Sequence, residues 1–255
     1  MIFVILAIYN EEKSLPELVG EIRKILDREN YRIIAVDDGS SDLSHDILLH
    51  LKKEDMLIAK HRVNLSIGAV FSTGFNIALR ESKSDDDIIV VMESDQTSDP
   101  GLLLHLINEI RYEGKDIAVA SRYIEGGGYV KFPLSRMIHS VSANNLLKAC
   151  FPIDKVTDYT IFYRSYRVKV LRKVMEFFGS SNFIRFMGFV SNSELLIKAS
   201  CFTKKISEVP FLYNYGNKKG KSKLHILSNI LEYVYFIYLM QKIIKSVKAL
   251  ELEYE

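Results

Sequence analysis

Acidic side chains cluster directly after an apolar stretch in the middle of the chain. The run from Ile88 to Met92 is apolar and predicts a buried strand. Three acids follow it at once, Glu93, Asp95 and Asp99. Carboxylates so close together repel one another unless a positive charge lies between them, and a divalent cation is the simplest such charge. The alternative is a solvated loop in which Asp99 caps a helix beginning near Pro100.

Polar clusters also follow the two apolar runs nearer the N-terminus. The stretch Val36 to Asp42, VDDGSSD, ends the second predicted strand. A carboxylate there can accept a hydrogen bond from the N–H edge of a nucleobase. We expect Asp38 to have that role and Asp42 to cap a helix. After the first strand, Tyr9 offers a stacking surface and Glu11 an acceptor, and an ordinary loop fits that fragment equally well.

The bulk composition is that of a globular protein with a proper core. The chain has 255 residues, of which 48% are hydrophobic and 26% charged. Its net charge of +2 predicts no nucleic-acid partner. Cys150 and Cys201 offer neither metal-ligand spacing nor a disulfide framework, which fits a reducing cytosol. The run after Met1 lacks the basic start and cleavage site of a signal peptide, so we expect a cytoplasmic protein.

Strands and amphipathic helices alternate through the first half of the chain. Strands are predicted at Ile2–Ile8, Arg32–Asp37, Met56–Ala59, Ile88–Met92 and Ile117–Ala120. Helices are predicted from Ser14, from about Asp42, at Ile67–Glu81 and at Pro100–Tyr112. Ser14 and Glu17 have the spacing of a capping box. The alternation predicts an α/β fold with a mainly parallel sheet flanked by helices, whose ligands bind beyond the carboxyl ends of the strands.

The second half of the chain is less regular. A glycine-rich stretch, Tyr123 to Gly128, predicts a mobile loop. Helices are predicted at Leu134–Cys150, Val168–Phe178 and Ser191–Ser200, and strands at TIFYR (160–164) and KKISEVPFLY (204–213). No internal repeat or long linker is present. We therefore predict one domain, residues 1–224, with a C-terminal helical appendage, residues 225–255.

The appendage is apolar and aromatic and then basic. Its uncharged run, Tyr233 to Gln241, is shorter than the roughly 20 residues that span a bilayer. An interfacial helix would place tyrosines at the lipid headgroups and lysines on anionic lipid. The residues concerned are Tyr233, Tyr235, Tyr238, Lys242, Lys245 and Lys248. The alternative is a terminal helix packed on the core or on a second copy in a homodimer. The first reading predicts a peripheral location at the cytoplasmic membrane face, or a membrane partner protein.

Seven motifs occur in the order found in family 2 glycosyltransferases, and the chain resembles that family over roughly residues 2–224. They are AIYNEEKSLPEL, IIAVDDGSSD, NLSIGAVFSTGFNIAL, VVMESDQTSDP, ASRYIEGGG, GFVSNSELLIKA and ISEVPFLY with KGKSKL. Within the family the chain is most similar to the enzymes that act on dolichyl and other polyprenyl phosphates. The resemblance implies a Rossmann-like GT-A fold, a nucleotide-sugar donor, Mg²⁺ or Mn²⁺, and inverting transfer.

The resemblance assigns the donor site residue by residue. It implies nucleotide contacts from Ala7, Tyr9, Glu11, Val36, Asp38, Ser94 and Thr97. Asp95 matches the second acid of the family's Asp-x-Asp motif and would ligate the metal. Glu93 replaces the first acid and is longer by one methylene, which alters the metal contact. Ala7 stands where relatives carry proline.

The acceptor site follows from the same resemblance. It implies phosphate contacts from Arg122, Arg136, Ser140, Ser222 and Lys223, and guanidinium is well suited to phosphate. An arginine expected before the KGKSKL motif is missing. Relatives carry a small Ser-Gly pair where this chain has Ile161 and Phe162, so the identities of sugar and acceptor stay open.

Three functions fit these residues. The first is transfer from a GDP- or UDP-sugar to a polyprenyl phosphate, with Asp95 and Arg122 as catalytic residues. The second is transfer to a saccharide hydroxyl in surface-polysaccharide synthesis. That reaction needs a general base, for which Asp158 is the candidate, although a structural loop acid fits equally well. The third is a nucleotide-sugar-binding protein without turnover.

Overall fold

A seven-stranded sheet lies at the centre of the structure, a computed structural model that describes residues 1–217 and 226–252. The strands are β1 (Ile2–Ile8), β2 (Tyr31–Asp37), β3 (Met56–Lys60), β4 (Ile88–Glu93), β5 (Ile117–Ser121), β6 (Gly128–Val130), β7 (Arg164–Arg167), β8 (Ile206–Pro210) and β9 (Leu212–Asn214). The order in the large sheet is β3-β2-β1-β4-β7-β5-β8. Strand β7 is antiparallel to both of its neighbours, and the other pairs are parallel. The predicted mainly parallel sheet is confirmed.

Helices cover both faces of this sheet, as expected for strands joined by crossover connections. They are α1 (Leu15–Ile25), α2 (Ser44–Leu51), α3 (Ile67–Glu81), α4 (Leu103–Arg111), α5 (Leu134–Cys150), α6 (Val168–Phe178), α7 (Val190–Ser200) and α8 (Ile226–Leu252). A short 3₁₀ turn, Pro100–Leu102, leads into α4, and Asp99 caps it by accepting from the Gly101 N–H at 2.8 Å. The strands are continuously apolar because both faces are buried; Phe3 and Leu6 are 0% exposed.

The register of the parallel strands brings their carboxyl ends to one edge. Ala7 of β1 lies opposite Val36 of β2 on one side and opposite Glu93 of β4 on the other. The polar stretches that follow these three strands must therefore leave the sheet at neighbouring points. This register is what gathers residues distant in the sequence into one site.

Two helix starts differ from the prediction. The Ser14 hydroxyl donates to the backbone carbonyl and the carboxylate of Glu11, at 3.0 and 3.2 Å, and makes no cap bond to α1, so the capping box is wrong. Helix α2 begins at Ser44 with Leu43 in the cap position. Asp42 still serves this turn, because its carboxylate accepts from the Ser44 N–H at 2.9 Å.

Two predicted strands also differ. The strand predicted at residues 160–164 is wrong: β7 begins only at Arg164, because the N–H groups of Thr160 and Ile161 donate to the Asp158 carboxylate instead of to a neighbouring strand. The strand predicted at residues 204–213 is interrupted at Phe211, where β8 ends and β9 begins. Strand β9 then pairs with β6, which follows the glycine-rich stretch, in a separate two-stranded sheet.

Helix α8 packs against α5 and α7. Its inner face buries Phe236, Met240 and Val247, whereas Tyr235 and Tyr238 are exposed. Among the described residues, no helix has the length and apolar character needed to cross a membrane.

The first turn of α3 lies against the loop that precedes α7. The Gly68 N–H donates to the Met187 carbonyl at 2.7 Å, and a Cβ at Gly68 would lie 2.1 Å from the Phe186 carbonyl oxygen. We therefore expect Gly68→Ala to lower the free energy of unfolding by about 1–3 kcal/mol, because two backbones must move apart. Denaturant unfolding measures the change.

Gly20, in the middle of α1, is the matched control. A Cβ there meets no atom within 4 Å. Gly20→Ala is expected to raise the free energy of unfolding by about 0.5–1 kcal/mol through helix propensity alone. Equal effects of the two substitutions would contradict the close approach of α3 and the α7 loop.

Candidate active site

A cavity of about 1190 Å³ opens at the sheet edge where β1, β2 and β4 end. Ten of the residues expected from the sequence to be in the site line it: Ala7, Tyr9, Glu11, Asp38, Glu93, Ser94, Asp95, Arg122, Arg136 and Ser140. Val36, Thr97 and Asp158 lie outside its lining. Ser222 and Lys223 fall outside the described residues. The structure thus brings the predicted donor and acceptor residues to one cavity.

The acidic end of the cavity is formed where β4 ends. The Asp95 carboxylate is 6% exposed and accepts two hydrogen bonds from Thr97, one from its N–H at 3.1 Å and one from its hydroxyl. The neighbouring Ser94 hydroxyl is buried without a hydrogen-bond partner. Thr97 therefore orients Asp95 rather than facing the cavity itself.

The donor set at this end fits a divalent cation that also binds a diphosphate. Over the described ranges, no group of three or more His, Cys, Asp or Glu side chains forms a complete metal site. Glu93 and Asp95 supply two carboxylates, and Mg²⁺ commonly takes one or two carboxylates and completes its shell with waters and substrate phosphates. Burial, and then the negative charges of Glu93 and Asp95, raise the pKa of the neighbouring Tyr213 well above its usual value.

Asp38 is buried at the cavity wall, and its carboxylate is already engaged. It accepts from the N–H groups of Leu65 and Ser66 at 2.9 and 3.0 Å, and it lies 2.7 Å from Nδ1 of His61. These bonds hold the loop between β3 and α3 against the cavity. A nucleobase contact would have to share these oxygens.

The other residues expected to contact the nucleotide differ in how exposed they are. Glu11 is 8% exposed, and its carboxylate accepts from the Ser14 hydroxyl. Val36 is 0% exposed within the sheet, so its side chain does not reach a ligand in the cavity. Tyr9 is half-buried and lines the cavity, as a stacking surface requires.

A buried ion pair forms the basic end of the cavity. Arg122 donates from Nε and Nη2 to the two oxygens of Asp158, at 2.7 and 2.8 Å. Burial disfavours the guanidinium charge, but the attraction and hydrogen bonds of Asp158 outweigh it and raise the pKa of Arg122. Three rings also surround the guanidinium carbon: Tyr123 at 5.3 Å, Tyr129 at 5.2 Å and Tyr213 at 5.9 Å.

Asp158 is placed to hold Arg122 and not to act as a general base. It is 0% exposed, and burial would raise its pKa, but the charge and hydrogen bonds of Arg122 hold the pKa below its usual value. A carboxylate with a lowered pKa and both oxygens occupied is a poor proton acceptor. Of the two roles that the sequence leaves open for Asp158, this geometry favours the structural one.

Ser140 and Arg136 of α5 extend the basic end. The Ser140 hydroxyl accepts from Arg122 Nη1 at 3.3 Å and from the Tyr129 hydroxyl at 3.2 Å. The guanidinium carbon of Arg136 lies 5.4 Å from the ring centre of Tyr215. Both residues line the cavity.

Bulky apolar side chains form one wall of the cavity. Ile161 and Phe162 both line the cavity. Phe162 packs between Phe71 and Phe189, with ring centres 5.3 and 5.9 Å away. This part of the wall is therefore filled and apolar.

Several cavity residues were missed from the sequence. Tyr213 was assigned to a continuous strand, whereas the break at Phe211 turns it into the cavity. The interfacial interpretation of the appendage places Tyr233 at lipid headgroups; Tyr233 instead lines the cavity, as a helix packed on the core allows, and burial, with the Glu232 charge, raises its pKa to about 12. Glu232 also lines the cavity, and its carboxylate accepts from the Gly188 N–H at 3.1 Å.

Comparison with known proteins identifies relatives of this site. The Glycosyl transferase family 2 model matches residues 3–175. Polyprenol monophosphomannose synthase of Mycolicibacterium smegmatis is 32% identical over 67% of this chain and 63% of its own length. Dolichol-phosphate mannosyltransferase of Pyrococcus furiosus is 30% identical over 94% of this chain and 63% of its own length. The chain thus spans less than two thirds of these two relatives. Undecaprenyl-phosphate mannosyltransferase of Micrococcus luteus is 27% identical over 88% of this chain and 87% of its own length.

Solved structures confirm the GT-A fold. Glucosyl-3-phosphoglycerate synthase from Mycobacterium tuberculosis, in complex with Mn²⁺, UDP and glucosyl-3-phosphoglycerate, superimposes with a TM-score of 0.64. The match covers 94% of this chain and 79% of that one, at 17% identity. The complex with Mn²⁺, UDP and phosphoglyceric acid gives a TM-score of 0.65 over 94% and 78% of the two chains.

The buried ion pair of Arg122 and Asp158 should contribute strongly to the free energy of unfolding. We expect Asp158→Asn to lower the free energy of unfolding by about 3–5 kcal/mol, because Arg122 is left buried without its counter-charge. Because the folded-state pKa of Asp158 lies below its ordinary value of 3.8, the stabilisation is present above that pH and is lost as the pH falls further. Unfolding curves at a series of pH values measure both effects.

The exposed pair of Arg32 and Glu81 is the control. Its side chains are 31% and 42% exposed at 2.7 Å separation. Glu81→Gln should change stability by no more than about 1 kcal/mol. An Asp158→Asn protein as stable as the wild type at neutral pH would contradict the buried ion pair.

Proposed function

The chain belongs to glycosyl transferase family 2 and is a glycosyltransferase, and we propose that it transfers the sugar of a GDP-sugar or UDP-sugar to a polyprenyl phosphate. One observation carries the proposal: the acids Glu93 and Asp95 and the arginines Arg122 and Arg136 line the same cavity. An acidic end suits a metal-bound diphosphate, and a basic end suits an acceptor phosphate. The relatives named for polyprenyl-phosphate and dolichyl-phosphate sugar transfer support this acceptor.

Glu93 and Asp95 would hold the divalent cation, and Ser94 would offer its hydroxyl to the diphosphate. A bound Mg²⁺ or Mn²⁺ neutralises the negative charge that develops on the departing nucleoside diphosphate. Asp95 is ready for this task, because Thr97 fixes its orientation. Tyr9 would stack on the base, and Glu11 and Asp38 would border the nucleoside.

The acceptor phosphate would lie against Ser140, Arg136 and the Nη1 side of Arg122. Nε and Nη2 of Arg122 are committed to Asp158, so the ion pair fixes the guanidinium while Nη1 faces Ser140. A phosphate oxygen is already ionised at neutral pH and attacks the anomeric carbon without a general base. The burial of Asp158 favours this acceptor over a saccharide hydroxyl.

The rim of the cavity is suited to a lipid acceptor. Leu146 of α5 and Val234 of α8 line the cavity and are 45% and 61% exposed. Leu134 and Ile138 of α5 and Tyr238 of α8 are also exposed. We propose that this apolar face rests on the membrane surface from which the acceptor enters, with Lys242 and Lys245 nearby for anionic lipid.

Transfer of labelled sugar tests the proposal. The protein is incubated with Mn²⁺, vesicles containing undecaprenyl phosphate, and radiolabelled GDP-mannose or UDP-glucose, and label is measured in the organic phase. We expect Mn²⁺-dependent label there, and none with Asp95→Asn. Label that stays aqueous as free sugar contradicts the lipid acceptor, and nucleotide binding without any release of sugar supports a binding protein instead.

The length of Glu93 should set the metal preference. Glu93→Asp restores the shorter acid of the family motif and should shift the Mn²⁺ concentration for half-maximal activity by several-fold, with little change in stability. The measurement is donor turnover against Mn²⁺ and Mg²⁺ concentration. Asp46→Glu, at an exposed position of α2, is a control for a one-methylene change in an acidic side chain. Metal curves that superimpose for wild type and Glu93→Asp would exclude Glu93 as a ligand.

Arg136 should act on the acceptor alone. Arg136→Ala is expected to raise the KM for polyprenyl phosphate about 10-fold or more, because a charge-assisted phosphate bond is lost. Donor hydrolysis without acceptor should not change. Lys148→Ala removes an exposed cation from the same helix outside the cavity. It should change neither the KM for polyprenyl phosphate nor the rate of donor hydrolysis. An equal effect of the two substitutions would mean that Arg136 acts only through the overall positive charge of the surface.

A further inference from the structure

Asp38 directly follows β2, and the loop between β3 and α3 packs closely on this part of the chain. The His61 N–H donates to the Asp37 carbonyl at 2.8 Å. A Cβ at Gly39 would lie 2.6 Å from the backbone carbonyl carbon of Val63. Two backbones in such close contact leave little room for Asp38 to move relative to the loop. We therefore expect the hydrogen bonds between Asp38 and the loop to persist when a ligand binds.

Three of the four lone pairs of the Asp38 carboxylate are already occupied. Oδ1 accepts from the Leu65 N–H at 2.9 Å and lies 2.7 Å from Nδ1 of His61. A carboxylate only accepts, so the hydrogen of the second bond is on Nδ1. Oδ2 accepts from the Ser66 N–H at 3.0 Å. Each carboxylate oxygen has two lone pairs, so one lone pair, on Oδ2, is left for a ligand.

The second ring nitrogen of His61 holds the ring in this orientation. Nε2 lies 2.9 Å from the Thr73 hydroxyl of α3. The His61 side chain is 11% exposed and lies outside the cavity lining, whereas Asp38 lines the cavity. His61 therefore acts on a bound ligand only through Asp38, as a positioning residue.

We propose that this site selects uracil over guanine, so that the donor is a UDP-sugar, and that His61 fixes the Asp38 carboxylate for this choice. The inference rests on the proposed function, because it takes Asp38 as the residue that meets the base. Uracil offers one ring N–H, which a single lone pair satisfies. Guanine offers a ring N–H and an amino group side by side, and a carboxylate binds both only with a free lone pair on each oxygen. An amino group left without its acceptor weakens binding by about 10-fold or more.

A series of nucleoside diphosphates tests this choice on the wild-type protein. Binding of UDP, GDP, IDP and CDP to the full chain is measured by isothermal titration calorimetry with Mn²⁺ present. IDP keeps the ring N–H of GDP and lacks its amino group, and CDP lacks the ring N–H of UDP. We expect UDP to bind about 10-fold or more tightly than GDP. IDP should bind more tightly than GDP, and CDP more weakly than UDP.

His61→Ala tests the positioning role. It frees Oδ1 from one hydrogen bond and lets the carboxylate turn, so the ratio of the GDP to the UDP dissociation constant should fall several-fold. His61→Asn keeps an N–H at the place of Nδ1 and should retain the ratio. His45→Ala is the matched control, since Nδ1 of His45 lies 3.2 Å from Oδ2 of Asp37 at the end of the same strand, and neither residue lines the cavity.

The wild-type series decides the base even if His61→Ala does not fold. Wild-type protein that binds none of the four nucleotides overturns the proposed function together with this inference. GDP that binds as tightly as UDP or IDP overturns the inference alone, because the site then accepts the second donor of guanine. An unchanged ratio in His61→Ala overturns the role of His61.

Discussion

The parallel pairing of β1 with both β2 and β4 is the constraint on which the site depends. Register places Ala7 between Val36 and Glu93, so three chain segments leave the sheet side by side. Each segment carries polar side chains at the point where its strand ends. A shift of one residue in any of these strands would exchange its two buried faces and move the polar stretch that follows it, disrupting the core and the cavity together.

The basic end depends on a second, electrostatic constraint. A guanidinium 8% exposed is tolerable only because Asp158 neutralises it with two hydrogen bonds and three aromatic rings surround it. The same pair prevents Asp158 from accepting a proton, so stability and reaction type are connected. This is the reason for which the proposed acceptor is an ionised phosphate.

The sequence predicts helices well where the pattern of apolar residues is long and regular. Helices α3, α5 and α6 have the bounds expected from their apolar patterns. The role of Asp158 is less predictable, because it depends on a partner that only the folded chain brings near. Arg122 and Asp158 are 36 positions apart, and nothing local distinguishes an acid that holds an arginine from one that accepts a proton. The resemblance to a known family identified cavity residues that the local sequence patterns did not.

Helix α8 closes the cavity through Glu232 and Tyr233, and the Glu232 carboxylate anchors the Gly188 amide beside it. In the order of synthesis these two residues follow the strands of the central sheet and the residues of both charged ends, Glu93, Asp95 and Arg122. A nascent chain therefore has the floor of the cavity before it has this wall, and the cavity takes its full shape only once α8 has been made.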